Sequence, residues 1–338
     1  MPHTMTRDRL TALLDAARRT RLAVIGDAML DVYLMGDVER ISPEAPVPVV
    51  RVRERRYALG GAANVAQNVS AIGAQSLLVG SVGTDAGGAT LRTMLDQMSV
   101  ESDYLVEVAR PTTTKTRVVA RSQQLLRVDE EEDADLSEGE VTRLLAAVRT
   151  AIASADALVL EDYNKGVLVA RVIRQAVEWA GERGIPVVVD PKYRNFFEYR
   201  GATVFKPNRR ELEAALGAAI DLDRPEALPE TFARLGVGHL LLTLGERGMA
   251  LLSGDGSVVR IPTMAREVYD VVGAGDTVTA YLGATLAAGA SVREAAVIAN
   301  FAAGVEVGKL GAATVTPEEV LASYDDFVQR QNAGVRRG

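Results

Sequence analysis

Apolar residues fall along this chain in two alternating rhythms. Short runs, often β-branched, predict strands at Leu22–Gly26, Ser76–Val82, Ala157–Leu160, Ile185–Asp190, Thr203–Phe205, His239–Leu244, Met249–Leu252 and Val258–Ile261. Longer stretches with apolar residues three and four apart predict helices. These run from Gly60 to about Ile72, then over Gly88–Met98, Ser137–Ala153, Val169–Arg183, Arg210–Leu216, Pro225–Leu235, Ala274–Ala288, Val292–Val307 and Pro317–Gln329. Ser137 and Glu140 form a capping-box pattern at the start of one of them. Strands alternating with helices predict an α/β fold, with a doubly wound, mostly parallel sheet covered on both faces.

Two segments break the rhythm. Residues 36–57 carry Pro43, Pro46 and Pro48, then the alternating run Val49–Arg55. Residues 112–128 alternate in the same polar manner. Such alternation suits exposed β structure, so the two segments are expected to form a small separate sheet inserted into one domain spanning 1–338. No internal repeat interrupts this plan, and residues 331–338 read as a flexible basic tail.

Composition narrows the chemistry. The 338 residues are 48% hydrophobic and 25% charged, with net charge −7 and pI about 5.2. That balance disfavours a nucleic-acid partner. Cysteine is absent, which removes disulfides and thiolate chemistry. The histidines are His3, in an N-terminus expected to be loose, and His239, opening an apolar strand. A histidine zinc site or a Ser-His-Asp triad is therefore poorly supported. No run of 18 apolar residues suggests a membrane span, so a soluble, cytoplasmic protein is expected.

The candidate chemistry centres on Asp270-Val-Val-Gly-Ala-Gly-Asp276, where a β-branched run ends at two glycines and a helix begins. Backbone N–H groups of Gly273, Ala274 and Gly275 would stand free at a helix N-terminus, which favours an anion. Asp276 would sit among them, placed to take a proton from an attacking hydroxyl. The same residues also fit a strand–turn–helix junction capped by Asp276.

Other phosphate motifs are missing. Gly308-Lys309 is followed by Leu310, which breaks a Walker A loop. The first strand ends Gly26-Asp27-Ala-Met-Leu-Asp31, with one glycine and two acids where a dinucleotide fingerprint needs three glycines. Two carboxylates would repel a pyrophosphate but can accept hydrogen bonds from a polyol. Asp27 as a helix cap and Asp31 as a surface residue fit equally. Gly60, Gly61 and Asn64 offer close backbone approach and an amide, or simply a glycine turn before a helix.

Together, Gly60-Gly-Ala-Ala-Asn-Val-Ala66 and Asp270–Asp276 resemble the two signatures of the ribokinase/PfkB family of sugar kinases. Asn208-Arg-Arg-Glu211 resembles the family's Asn-x-x-Glu element, and Thr243-Leu-Gly245 with Gly248 its Thr-x-Gly strand end. Val271 departs from the usual threonine. A finer resemblance, to the bacterial heptose 7-phosphate kinases of lipopolysaccharide precursor synthesis, rests on Arg40–Val49, Glu161-Asp-Tyr-Asn-Lys-Gly166 and Asp190-Pro-Lys192. Many of those relatives carry a fused nucleotidyltransferase domain with a His-x-Gly-His motif. This sequence lacks that motif and is similar to the stand-alone kinase form.

The resemblance implies a ribokinase-like fold whose small sheet acts as a lid and pairs between subunits of a homodimer. It implies an ATP-dependent kinase acting on the C1 hydroxyl of D-glycero-β-D-manno-heptose 7-phosphate. Asp276 would be the base, with Gly273, Ala274 and Gly275 as the anion hole. Asp27, Asp31, Gly60, Gly61 and Asn64 would face the sugar hydroxyls. Arg117, Arg121, Lys165 and Lys192 are candidates for the substrate phosphate, because they flank the lid segment or follow strand ends. Each could equally be a solvated surface cation. Asn208 and Glu211 would organise Mg²⁺ through water, or else form a capping box. Thr243, Gly245, Gly248, Asn300 and Gly304 would line the nucleotide site. Carbonyls of Gly308–Ala313 could hold a monovalent cation such as K⁺. The rival readings are a family kinase for another sugar phosphate (fructose or tagatose phosphate), a non-catalytic sugar-phosphate sensor, and a dehydrogenase. The last is disfavoured by the missing fingerprint.

Overall fold

The computed structural model describes residues 5–335 apart from 122, 225, 227, 266 and 267. His3, Pro225 and positions 336–338 of the expected tail lie outside the described residues.

Nine strands form the main sheet. They are β1 (Arg21–Gly26), β4 (Gln75–Gly83), β5 (Leu105–Val108), β8 (Ala157–Glu161), β9 (Val187–Asp190), β10 (Val204–Phe205), β11 (His239–Thr243), β12 (Met249–Ser253) and β13 (Val258–Ile261). Their order is β13-β12-β11-β10-β9-β8-β1-β4-β5. From β5 to β11 neighbouring strands run parallel, and β12 and β13 add an antiparallel edge. The central strands β8 and β9 are buried along their whole length, as parallel strands covered on both faces must be.

Two apolar layers cover the sheet. On one face Leu10, Leu14, Val69, Tyr281 and Phe301 pack together. They come from α1 (Arg7–Ala17), α2 (Ala62–Ile72), α8 (Ala274–Ala287) and α9 (Val292–Glu306). On the other face Leu144, Val148, Ile173 and Ala176 belong to α4 (Glu138–Ser154) and α5 (Ala170–Glu182). The remaining helices are α3 (Ala86–Gln97), α6 (Arg209–Leu216), α7 (Leu228–Leu235) and α10 (Pro317–Val335). Among the described residues no helix is long and apolar enough to cross a membrane.

The second sheet is smaller, with order β3-β2-β6-β7. Its strands are β2 (Ala28–Ile41), β3 (Pro48–Gly61), β6 (Thr114–Ala120) and β7 (Gln123–Glu130). The pairs β2/β3 and β6/β7 are antiparallel, while β2/β6 is parallel.

The small sheet reaches further into the chain than the alternating pattern indicates. Asp31 lies within β2, and Gly60 and Gly61 end β3, with Gly61 also forming the N-cap of α2. The cause is burial. Residues Ala28–Val32 are buried as β2 leaves the main sheet, so alternation shows only from Tyr33 onward. Three further differences have local causes. α1 is a short amphipathic helix, capped by Thr6 and docked through Leu10, Leu13 and Leu14, in a segment expected to be loose. β5 is a four-residue edge strand, too brief to show a period. α10 continues to Val335, so residues 331–335 of the expected tail are helical.

The glycine Gly283 sets how closely α8 lies on the sheet. A Cβ there would come within 2.9 Å of Leu22 Cδ2 and 3.0 Å of Val159 Cγ2. Gly283→Val is therefore expected to overpack the α8/β1/β8 contact and cost about 1–3 kcal/mol. Urea unfolding of the variant beside the wild type checks this, and an unchanged midpoint would refute it.

Candidate active site

The main sheet changes winding direction between β1 and β8. The chain moves from β1 outward through β4 and β5, then returns to build β8 to β11 on the other side. Ligand crevices in open α/β sheets lie outside the carboxyl ends of strands at such a point. Here three strand ends carry charge. β8 ends in Glu161, β9 ends in Asp190, and Lys206 follows β10 directly. The N-terminus of α8 points into the same place.

Gly273, with φ 94°, forms the N-cap of α8, and no side chain caps it. The first-turn amides of Ala274 and Gly275 therefore have no partner within the helix. Asp276 sits in this turn and is buried. Its Oδ2 accepts a hydrogen bond from Asn64 Nδ2 at 2.7 Å, and its Oδ1 accepts one from the Tyr163 hydroxyl at 3.2 Å. Asn68 Nδ2 donates to the Asn64 backbone carbonyl at 3.0 Å. Burial first, and then the charge of Asp190, push the Asp276 carboxyl up to about 6, against the pull of Asn64. A carboxylate tuned toward neutrality suits a general base.

Glu161, Asp190 and Asp276 place carboxylate oxygens within 4.8 Å of one another. Lys206, itself buried, donates to Asp190 Oδ2 at 2.7 Å. It also lies beside the helix turn: a Cβ on Gly275 would be 3.6 Å from its Nζ. Neither carboxylate oxygen of Glu161 has a partner, and burial followed by Asp190 and Asp276 holds this group well above the usual carboxylate range. These oxygens could face a cation. Glu161, Tyr163, Asp190 and Lys206 received no role from the sequence, although the first three lie in or beside motifs that carried the heptose-kinase resemblance. The available signal was a charged residue at the end of an apolar parallel strand.

The sugar-facing candidates divide. Asn64 borders the site through Asp276, and Asp31 lies on β2 beside Gly60. Asp31 Oδ1 accepts from Arg117 Nη1 at 2.5 Å, and Gly60 leaves space beside Oδ2, since a Cβ there would lie 3.1 Å away. Gly61 adopts φ 56°, and a Cβ there would meet the Asp27 carbonyl at 2.3 Å. Asp27 differs. Its carboxylate accepts backbone N–H groups of Tyr163 at 2.8 Å, Lys165 at 3.0 Å and Val167 at 3.2 Å. Burial, then Asp162, raise it to about 6 against these three donors. Here Asp27 holds the loop after β8 in place.

The phosphate candidates divide too. Arg117 pairs with Asp31 and lies over the Tyr33 ring. Lys165 Nζ bridges Glu131 at 2.7 Å and Asp133 at 2.8 Å, tying the β8 loop to the segment after β7. Lys192 Nζ pairs with Glu211 Oε1 at 2.9 Å and stands over the Tyr163 ring. Arg121 is exposed at the β6–β7 turn with φ 48°. It lies six residues beyond Lys115, the register partner of Asp31, or about 20 Å along the strand. The structure does not bring it to the other candidates.

On the nucleotide side, Asn208 caps α6 and forms a capping box with Glu211. Thr243 ends β11 and bridges to Asn208. Gly245 (φ 61°) and Gly248 (φ 81°) shape the following turn. Asn300 and Gly304 do structural work: Asn300 Nδ2 donates to the Pro262 carbonyl at 2.8 Å, and a Cβ on Gly304 would meet the Ala265 nitrogen at 2.9 Å. Both hold the segment after β13 against α9. The loop Gly308–Ala313 closes over Asp270, whose Oδ2 accepts from the Gly311 N–H at 3.2 Å.

An open helix N-terminus with a buried carboxylate in its first turn agrees with the family match, which spans residues 19–319 and is described as pfkB family carbohydrate kinase. The chain belongs to the pfkB family of carbohydrate kinases. Among relatives of this kinase, the bifunctional protein HldE of Rhodospirillum rubrum is 45% identical over 93% of this chain and 64% of its own length. That of Gluconacetobacter diazotrophicus is 48% identical over 89% of this chain and 63% of its own. The chain thus spans about two thirds of the length of these relatives. The fold is ribokinase-like. Arabidopsis thaliana ribokinase complexed with ribose and ATP superposes with TM-score 0.71 at 22% identity, covering 90% of this chain and 98% of that one. Escherichia coli phosphofructokinase-2, in its tetrameric inhibited form, gives TM-score 0.75 at 20% identity over 90% and 98%.

The raised Asp276 carboxyl has a stability signature. Its folded value exceeds the ordinary one, so ionisation costs the fold stability. That cost is absent near pH 4, grows as pH rises toward about 6, and is complete above it. Asp276→Asn is expected to stabilise the ligand-free kinase at pH 8 by up to ~3 kcal/mol, at about 1.4 kcal/mol per pKa unit. The gain should shrink toward pH 4. Thermal unfolding at the two pH values measures it, and a gain that is larger at pH 4 would contradict the assignment.

Proposed function

We propose that this chain is, as one kinase domain over residues 1–338, an ATP-dependent kinase for the anomeric hydroxyl of a heptose 7-phosphate. The substrate is D-glycero-β-D-manno-heptose 7-phosphate and the product its 1,7-bisphosphate, a precursor for ADP-heptose and the lipopolysaccharide core. The observation that carries the reading is the coincidence of base and anion hole in one helical turn. Asp276, oriented by Asn64 and Tyr163, stands beside the uncapped amides of α8. The HldE relatives support the substrate class.

In this mechanism Asp276 takes the proton from the C1 hydroxyl. The oxygen bonds to the γ-phosphorus as the bond to the ADP oxygen breaks. Charge on the transferring group is met by the N–H groups of Gly273, Ala274 and Gly275 and by the Lys206 ammonium. Asp31, Asn64 and Arg117 face the sugar from the lid side. Mg²⁺, when bound, would screen the phosphates. Asn208 and Glu211 suit contact through its water shell, because the capping box and Lys192 already engage their side chains while leaving lone pairs over. Glu161 and Asp190 offer oxygens on the other side of the site. The Gly308–Ala313 loop is the proposed seat of a K⁺ ion.

The exposed apolar residues Ile41, Val52, Leu126 and Val128 all lie on the small sheet, which supports a homodimer pairing through the lids.

ATP consumption over a panel of sugar phosphates tests the proposal. Turnover is expected with the heptose 7-phosphate and not with fructose or tagatose phosphates, and Asp276→Asn should lower kcat by about 10²–10⁴. Turnover confined to hexose phosphates would overturn the substrate. Sugar-phosphate binding without any turnover would favour a sensor.

A further inference from the structure

Glu306 is the last residue of α9, and its side chain is fully buried. Neither carboxylate oxygen has a hydrogen-bond partner. Burial, then the charges of Asp270 and Asp276, push its carboxyl up to about 8, so ionising it calls for a compensating cation. The nearest lysine in sequence offsets it only at a distance and makes no bond to it. Lys309 Nζ is directed to the Thr314 carbonyl at 2.8 Å and to Glu319 at 2.5 Å. The other carboxylate of this region, Asp270, has both oxygens occupied by backbone N–H groups, those of Val272 and Gly311.

Position gives Glu306 its meaning. A Cβ built on Gly273 would lie 3.2 Å from Glu306 Oε1 and 3.3 Å from the Cα of Ala312. The carboxylate therefore stands between the cap of α8 and the loop after α9. Helix N-termini carry roughly half a positive charge, and an adjacent full negative charge would cancel it. An ionised, uncompensated Glu306 would disable the anion hole that Asp276 shares.

We propose that Glu306 is a direct ligand of a monovalent cation lodged between Gly273, Asp270 and the Gly308–Ala313 loop. This rests on the proposed K⁺ site and adds a charged ligand to a loop otherwise offering carbonyls. The environment favours a monovalent ion. Mg²⁺ dehydrates reluctantly and keeps several waters, whereas the Glu306 oxygens are shielded from solvent. The bound cation neutralises the carboxylate and restores the positive end of α8.

The test needs neither ATP nor sugar, so it stands apart from the kinase assignment. Thermal unfolding of the full chain is followed while K⁺ replaces choline at constant ionic strength. The wild-type midpoint should rise with K⁺. In Glu306→Gln the half-effect concentration should move at least tenfold higher. Without K⁺ at pH 8 and above this variant should be as stable as the wild type or more so, because burial, then Asp270 and Asp276, push the Glu306 carboxyl up to about 8 and ionising it costs the fold stability. Asp270→Asn, which keeps Glu306, should still respond to K⁺ and shows that the response survives a neighbouring change. A wild-type midpoint indifferent to K⁺, or a Glu306→Gln titration identical to the wild type, would overturn the proposal. So would a Glu306-dependent rise with Mg²⁺ and none with K⁺. A K⁺ response lost in Glu306→Gln, in a protein with no kinase turnover, would uphold the cation site and reject only the kinase reading.

Discussion

Three carboxylates converge where the parallel strands end, and the rest of the site follows from keeping them together. Glu161, Asp190 and Asp276 approach within 4.8 Å, in surroundings dry enough to raise Glu161 and Asp276 far from their ordinary values. Like charges so close are tolerable only if some are neutral or a cation stands among them. Lys206 is that cation on the protein side, buried and bonded to Asp190. The cost of the cluster is local, and it is borne by strands whose other residues are wholly apolar. Under the proposed function, this cluster gives a field that would change sharply when a phosphate chain arrives. Negative phosphates would draw on Lys206 and the helix amides, while any accompanying divalent ion would satisfy the orphaned oxygens of Glu161.

The lid repeats the pattern with opposite emphasis. Cations on the small sheet are already held by acids, Arg117 by Asp31 and Lys115 by Asp129 and Glu131, while Lys165 of the loop after β8 pairs with Glu131 and Asp133. In this arrangement ion pairs tie the segment after β7 to the loop after β8. Under the proposed function, an anionic substrate would compete with Glu131 or Asp31 for those cations. Partly exposed pairs of this kind contribute little stability each, which keeps such exchange cheap.

Much of this architecture was legible in the sequence. The alternation of apolar strands and amphipathic helices defines the doubly wound sheet, because central parallel strands such as Val187-Val-Val189 can be read without context. The turn Gly273–Gly275 and Asp276 were legible for the same reason: glycine pairs at a strand–helix junction have a backbone meaning. Asp27 was not. Its spacing to Asp31 suggested two equivalent acids facing a polyol, yet Asp27 binds three amides from a loop some 135 residues later in the chain. Only tertiary structure supplies those donors. Arg121 shows the complementary limit. A strand places residues by register, and its position at the hairpin tip depends on a pairing that periodicity alone does not fix.

Asn208 and Glu211 bear on a wider question, since the sequence offered capping and metal organisation as alternatives. The geometry makes them compatible. In the capping box the Asn208 side chain accepts the Glu211 N–H and Glu211 Oε2 accepts the Asn208 N–H, which fixes both rotamers. Glu211 Oε1 then holds Lys192, whose ammonium lies near Asp190 and Glu161. A carboxylate oxygen has lone pairs beyond those two bonds, so it can still accept from a water on a metal. Under the proposed function the cap would be a rigid support for such a contact, because a mobile carboxylate would lose rotamer entropy each time it ordered a hydrated ion. In the proposed function the same two side chains would serve helix and site chemistry, the cap fixing them in space.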